Sequence, residues 1–274
     1  MNLLKNLLDL YINSSIHVAL AVVSLSLVSF FKFQISPDYD LLLFIFFGSI
    51  TGYNFVKYAG IAKLHHLSLT RNLRFIQVFS LVCFLGAGYF VLQQSWQILI
   101  LSGVLGIFTL LYAVPFWKGK ANLRSLNGTK VFVIAVVWAG TSVLLPLHKL
   151  YNLENRDVLI EFFQRFLLVI VLMLPFEIRD LKFDTLQLGT IPQRVGFGKT
   201  KILGYVLLLL VILAEVFKER FLLTNFISLV LVSLVSGTFL YKTRIDQQPY
   251  FASFWVEAIP VMWLGITVVV INLF

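Results

Sequence analysis

Residues 158–184 read VLIEFFQRFLLVIVLMLPFEIRDLKFD. The first part, 158–176, is apolar apart from Glu161, Gln164 and Arg165. It comes close to the roughly 20 residues that a helix rising 1.5 Å per residue needs to cross a hydrocarbon core of about 30 Å. Its character then changes abruptly, to Glu177, Arg179, Asp180, Lys182 and Asp184 within eight positions. Working outward, eight more apolar stretches of similar length lie near 15–31, 40–58, 75–93, 95–115, 130–147, 202–217, 221–241 and 254–273. Their apolar runs are continuous rather than alternating, which points to helices and away from a barrel. The reading is an all-α membrane protein, a bundle of about nine transmembrane helices in a single domain spanning 1–274.

Composition excludes the alternatives. Hydrophobic side chains make up 59% of the 274 residues and charged ones 13%, against about 25% charged in soluble domains. No charged-flank heptad marks a coiled coil, and 27 Phe are incompatible with disorder. The net charge of +9 therefore has to sit outside the lipid. With nine spans, 16 of the 22 Lys and Arg fall at the N-terminus and in the loops after even-numbered spans, while acidic residues divide almost evenly. That cation-specific bias predicts a cytoplasmic N-terminus and an external C-terminus, in a bacterial inner membrane. Basic charge placed this way is topology, and no nucleic-acid partner is implied.

Residues 1–15 lack the cleavage pattern of a secretory signal. Leu3, Leu4, Leu7, Leu8 and Tyr11 share a helical face opposite Lys5 and Asp9, as in a short interfacial helix or in the first turns of the first span. Cys83, the single cysteine, is read as packing. His65 and His66 point about 100° apart on a helix and are read as solvated. Glu161 and Arg165 are spaced as an intrahelical pair. Glu257 enters the last span, either facing the bundle interior or resting beside Trp255 at the interface.

The acidic cluster carries the chemistry. If the span ending at 176 continues as helix, Glu177, Asp180 and Asp184 leave from one face. Three such carboxylates either bracket a cation or are balanced by Arg179 and Lys182 in a solvated loop. Mg²⁺ suits the first case, since it takes one or two carboxylates and keeps positions for substrate phosphates. Loops 57–74 and 118–130 each hold four cations on the same side, and Arg194, Lys199 and Lys201 complete the ring. Metal on one side with Lys and Arg on the other suits a diphosphate.

The segment Arg179-Asp-Leu-Lys-Phe-Asp184 with Gly189-Thr-Ile-Pro-Gln-Arg-Val-Gly196 resembles the second aspartate-rich motif of the UbiA superfamily of intramembrane prenyltransferases, nearest its menaquinone-branch members. Tyr112, Pro115 and Lys118 resemble that family's Tyr-Pro-Lys region. The resemblance implies that Asp180 and Asp184, with Glu177, hold Mg²⁺. Asn54, Lys57, Lys118, Arg124 and Arg194 are then read as the diphosphate-side partners of a polyprenyl donor. A prenyl group would then pass to an aromatic or other electron-rich lipophilic acceptor, with membrane lipid around it. The family's first motif is altered here: Asn54-Phe-Val-Lys-Tyr58 has Tyr58 where a carboxylate is expected and Lys57 beside it. Two other functions stay open, a non-catalytic isoprenoid or quinone binder and a small-molecule transporter, the latter disfavoured by the lack of paired broken spans.

Overall fold

A computed structural model describes residues 3–58, 71–114, 128–149, 155–183 and 188–274. Eleven helices occur in chain order: α1 Leu3–Asn13, α2 Ile16–Lys32, α3 Tyr39–Tyr58, α4 Arg71–Val91, α5 Trp96–Ala113, α6 Lys130–Ala139, α7 Arg156–Asp180, α8 Ile191–Val195, α9 Phe197–Glu215, α10 Leu223–Lys242 and α11 Ile259–Leu273. A π-helical turn, Gly140–Leu144, extends α6, and another, Phe251–Val256, leads into α11. Among the described residues seven helices are long and apolar enough to cross a membrane, and the bent pair α1–α2 makes an eighth. The segment Lys130–Leu144 is a shorter apolar helix. The nine predicted stretches are thus all helical, and the chain is an integral membrane protein.

Successive helices pack side by side, α2 on α3, α3 on α4 and α5, α5 on α6, α6 on α7, α7 on α9, α9 on α10 and α10 on α11. The last helix, α11, returns against α2, so the bundle closes into a ring. Helix α7 has 67% of its apolar segment buried, against 11% for α4 and for α5. It is the central helix, whereas α4 and α5 turn most of their apolar side chains outward, as lipid-facing helices do. Gly204 of α9 packs where a Cβ would collide with Leu174 of α7 and Leu240 of α10, so the close approach of these three helices depends on its missing side chain.

One boundary differs from the sequence reading, and at the N-terminus one of its two alternatives is decided. Helix α9 starts at Phe197 rather than near 202, because Gly196 takes the break with φ 84° and Lys199 and Lys201 are accommodated inside the first turns. Long basic side chains can reach the interface from within a helix, so charge alone does not end one. At the N-terminus, α1 is a separate helix bent by 59° from α2. Ser15 sits at the break in the left-handed region with φ 64°. Asn54 of α3 holds that break: its Nδ2 donates to the Ser14 carbonyl (3.1 Å) and its Oδ1 accepts from the Ser15 hydroxyl (2.7 Å).

At the end of the bundle away from α1, five charges meet with almost no exposure. Glu161 Oε2 lies 2.6 Å from Lys32 and 2.7 Å from Lys218, while its Oε1 takes Arg165 at 3.0 Å. Glu215 pairs with Lys218 at 2.8 Å and accepts from Gln164 at 2.9 Å. Arg165 also donates to the Leu25 carbonyl (2.8 Å) and stacks over Trp263 (4.6 Å). Burial by itself would lower the Lys218 ammonium, yet Glu161 and Glu215 outweigh it and hold the group above the usual lysine value. The expected Glu161–Arg165 pair is present, as one edge of a clasp that joins α2, α7, α9 and α11.

Candidate functional site

The site is built where α7 leaves the bundle core. Neighbouring helical residues point about 100° apart and those three apart nearly align. Phe176 and Arg179 therefore share one side of α7, and Glu177 and Asp180 share the next. Phe176 and Arg179 line a cavity of about 1210 Å³, larger than the roughly 300–1,000 Å³ of ordinary ligand pockets. Glu177 and Asp180 instead face Lys130 at the start of α6, at 3.0 and 3.7 Å. Asp180 also accepts from Arg179 Nε at 2.8 Å, so the cavity cation and the motif carboxylate are joined directly.

One end of the cavity is polar. Lys5 and Asp9 of α1, Lys57 of α3, Arg179 of α7, Tyr250 and Glu257 all line it. Helix α1 lies over this end and is tied down twice. Asn13 accepts from Tyr58 (3.0 Å) and from Lys57 (3.2 Å), and Asp9 accepts from Tyr250 at 2.6 Å. The Asp9 carboxylate raises the Tyr250 phenol above its usual value through that bond. The rest of the wall is largely apolar or aromatic, including Val18, Val22, Phe44, Tyr53, Val137 and Trp138. Trp138 Nε1 donates to the Tyr53 hydroxyl at 2.6 Å, which fixes both rings at the wall. Phe84 of α4 and Leu110 of α5 also line the cavity while 59% and 52% exposed, so it opens sideways toward the lipid between these helices.

The predicted site residues divide into three groups. Lys57 lines the cavity, and Asp180, with 21% of its side chain exposed, stands at its edge through Arg179. Asn54, Glu177 and Arg194 lie elsewhere. Asn54 is buried and its amide is spent on Ser14, Ser15 and the Ser80 hydroxyl (2.8 Å), so it braces the α1–α2 break rather than facing the cavity. Glu177 is buried as the counter-ion of Lys130. Arg194, on α8, packs against Gly128, whose N–H donates to the Leu188 carbonyl at 2.9 Å, so this part joins the loop before α6 to the loop after α7. Lys118, Arg124 and Asp184 lie outside the described residues, as do His65 and His66. Among the described residues no three His, Cys, Asp or Glu side chains are grouped to hold a metal ion.

Several cavity residues escaped the sequence reading. Arg179 was legible only as a neighbour of Asp180; its helical offset is the signal that it faces elsewhere. Tyr53 and Trp138 are 85 residues apart and carry no joint signature. Glu257, left open between bundle and interface, is at the cavity wall.

No family sequence model matches the chain, and no curated protein resembles it significantly in sequence. Its fold, however, matches solved structures over nearly the whole length. A UbiA homologue from Archaeoglobus fulgidus bound to GPP and Mg²⁺ aligns at TM-score 0.59 and 14% identity, covering 96% of this chain and 99% of that one. A digeranylgeranylglyceryl phosphate synthase of membranes aligns at TM-score 0.56 and 16% identity, covering 97% and 96%. The closed ring of helices is the UbiA fold.

Proposed function

We propose that this chain transfers a prenyl group from a polyprenyl diphosphate to an aromatic or other electron-rich acceptor within the membrane. The observation that carries this reading is the cavity's polarity: Lys5, Lys57 and Arg179 at one end, and an apolar body open toward lipid. A diphosphate with an isoprenoid tail has the same division. The fold's likeness to a UbiA homologue bound to GPP and Mg²⁺ supports the same chemistry. In this reading the membrane is a bacterial inner membrane, and the N-terminus is cytoplasmic and the C-terminus external, an orientation that the cation bias supports.

Mg²⁺ fits a reduced set of carboxylates. Asp180 keeps lone pairs beyond its bond to Arg179, and one or two carboxylates with phosphate oxygens satisfy this ion. Asp180 and Asp184 would hold it; Glu177, already paired with Lys130, serves as the local counter-ion. When bound, the metal offsets charge on the departing diphosphate. Arg179 and Lys57 bind and orient that group, with Lys118, Arg124 and Arg194 as further cations on the loop side. The apolar walls hold the tail and exclude water from the allylic carbon. Diphosphate then leaves on the cytoplasmic side.

The test is to incubate purified full-length protein with Mg²⁺, labelled prenyl diphosphates of several lengths, and hydroxylated benzoate or naphthoate acceptors. Prenylated product that disappears with EDTA is the expected result; no product with any pair, despite donor binding, would support the second reading, an isoprenoid binder without turnover. One observation favours that second reading: Asn54 is absorbed in structural hydrogen bonds and Tyr58 stands where a carboxylate is expected. Arg179→Leu should weaken donor binding about 10- to 100-fold, the equivalent of losing a charge-assisted contact of about 1.5–3 kcal/mol. Unchanged donor affinity in that variant would remove Arg179 from the diphosphate site.

A further inference from the structure

Asp9 and Glu257 are the carboxylates on the described wall of the cavity. Asp9 is engaged by Tyr250 at 2.6 Å. Glu257 has no hydrogen-bond partner among the described residues, although it is half-buried inside a membrane-embedded segment. An ionisable side chain in such a place usually serves the cavity it faces. Its backbone position is itself unusual. The π-helical turn Phe251–Val256 ends at Glu257, whose N–H donates to the Ala252 carbonyl five residues back, at 3.2 Å. A π turn rotates the residues after it out of α-helical register, and such turns recur where a side chain must be aimed at a site. The turn is held from outside by His17 of α2, which hydrogen-bonds the Phe254 carbonyl at 2.9 Å and stacks on the Phe254 ring.

The surroundings of Glu257 come from four other helices. Lys57 of α3 and Arg179 of α7 are cations on the same cavity wall. Tyr53 of α3 lines the same cavity, and Tyr11 of α1 hydrogen-bonds His17, the residue that holds the turn. Tyr112 of α5, Lys5 and Asp9 of α1, and Tyr250 are the other titratable groups of the wall. Glu257 therefore shares the cavity wall with Lys57 and Arg179, at the end of a π turn that itself packs against α7.

From this placement we infer that Glu257 is the acceptor-side base of the site. The inference rests on the prenyl-transfer reading and adds the residue that handles the acceptor. In the step it serves, the donor C–O bond breaks and diphosphate keeps the electron pair. Ring π electrons of an aromatic acceptor form the new C–C bond at the allylic carbon. The C–H electrons of the attacked ring carbon then restore the aromatic system as its proton passes to the Glu257 carboxylate. Before that step the same carboxylate accepts a hydrogen bond from an acceptor hydroxyl and orients the ring. This selects hydroxylated aromatic acceptors over acceptors with no hydroxyl, because a carboxyl oxygen accepts a hydrogen bond from that hydroxyl.

Glu257→Gln, Glu257→Ala and Glu257→Asp should be compared with the unaltered full-length protein in detergent. Labelled prenyl diphosphate, Mg²⁺ and hydroxylated naphthoate serve as probes, with product, prenyl alcohol and donor affinity measured separately. Expected are a loss of product of about 100-fold or more in the Gln and Ala variants, donor affinity close to that of the parent protein, and a shift of consumed donor toward prenyl alcohol. The Asp variant should recover part of the transfer. Retained donor binding shows that the variants are folded. Undiminished transfer in Glu257→Gln, with donor binding tightened, would overturn the inference and leave Glu257 as charge balance for Lys57 and Arg179. Absence of product from the unaltered protein with every donor and acceptor would instead overturn the prenyl-transfer reading, and the base role with it.

Discussion

Glu161→Ala should destabilise the protein by about 3–5 kcal/mol, the usual cost of breaking a buried ion pair from one side. Lys32, Arg165 and Lys218 converge on this carboxylate, at 2.6, 3.0 and 2.7 Å. Without it, Lys32 and Lys218 would share Glu215, and Arg165, fully buried, would lose its carboxylate partner. Water cannot replace the lost partner, because the cluster is enclosed by α2, α7, α9 and α11. Glu161→Gln keeps the volume and should cost nearly as much, which separates charge from packing. Thermal unfolding in detergent reads the effect; a melting curve like that of the parent protein would show that the clasp is not needed for stability. The cluster lies at the far end of the bundle from Lys57 and Arg179, the proposed diphosphate-side cations. Donor affinity of whatever folded protein remains should therefore be unchanged.

Asp180→Asn should lower prenyl transfer about 100- to 1,000-fold, the range seen when one preorganised electrostatic partner of the reacting charge is removed. The substitution keeps the side chain's shape but loses the negative charge on which the proposed metal binding depends. The apparent requirement for Mg²⁺ should rise in parallel, and Arg179 loses its 2.8 Å ionic partner while keeping an acceptor. Glu177→Gln is the informative contrast. Its carboxylate is buried against Lys130 at 3.0 Å, so its loss should lower thermal stability more than turnover. Equal losses of turnover from both substitutions would return Glu177 to the metal site; full activity of Asp180→Asn would remove the metal role from Asp180.

How far the sequence could be read depends on the range of the interaction concerned. Spans were legible because hydrophobic length is a local property, and each of the nine apolar stretches is helical. The Glu161–Arg165 pair was legible because four residues make one helical turn. Its remaining partners were not, since Lys32 and Lys218 lie 129 and 57 residues from Glu161. Counted by position, Lys32, Arg165 and Lys218 belong to the cation-poor side of the membrane. Counted by environment, they are core residues and contribute nothing to a solvated surface.

The candidate site divides in the same way. The chemistry of Arg179-Asp-Leu-Lys-Phe-Asp184 can be read from residue types and spacing, and so can the change at Asn54-Phe-Val-Lys-Tyr58. The direction each side chain faces cannot. Asn54 looked like a ligand and is a brace for the left-handed turn at Ser15, because α3 passes beside the break between α1 and α2. Glu257 looked ambiguous and lines the cavity, because a π turn aims it there and α11 returns against α2. The sequence by itself determined a set of helices long and apolar enough to enter lipid, since that results from transfer of each segment between water and hydrocarbon. Only the tertiary structure decided which cations and carboxylates meet, since ring closure brings together α1, α3, α7 and the start of α11, and charges act over ångströms in space whatever their separation along the chain.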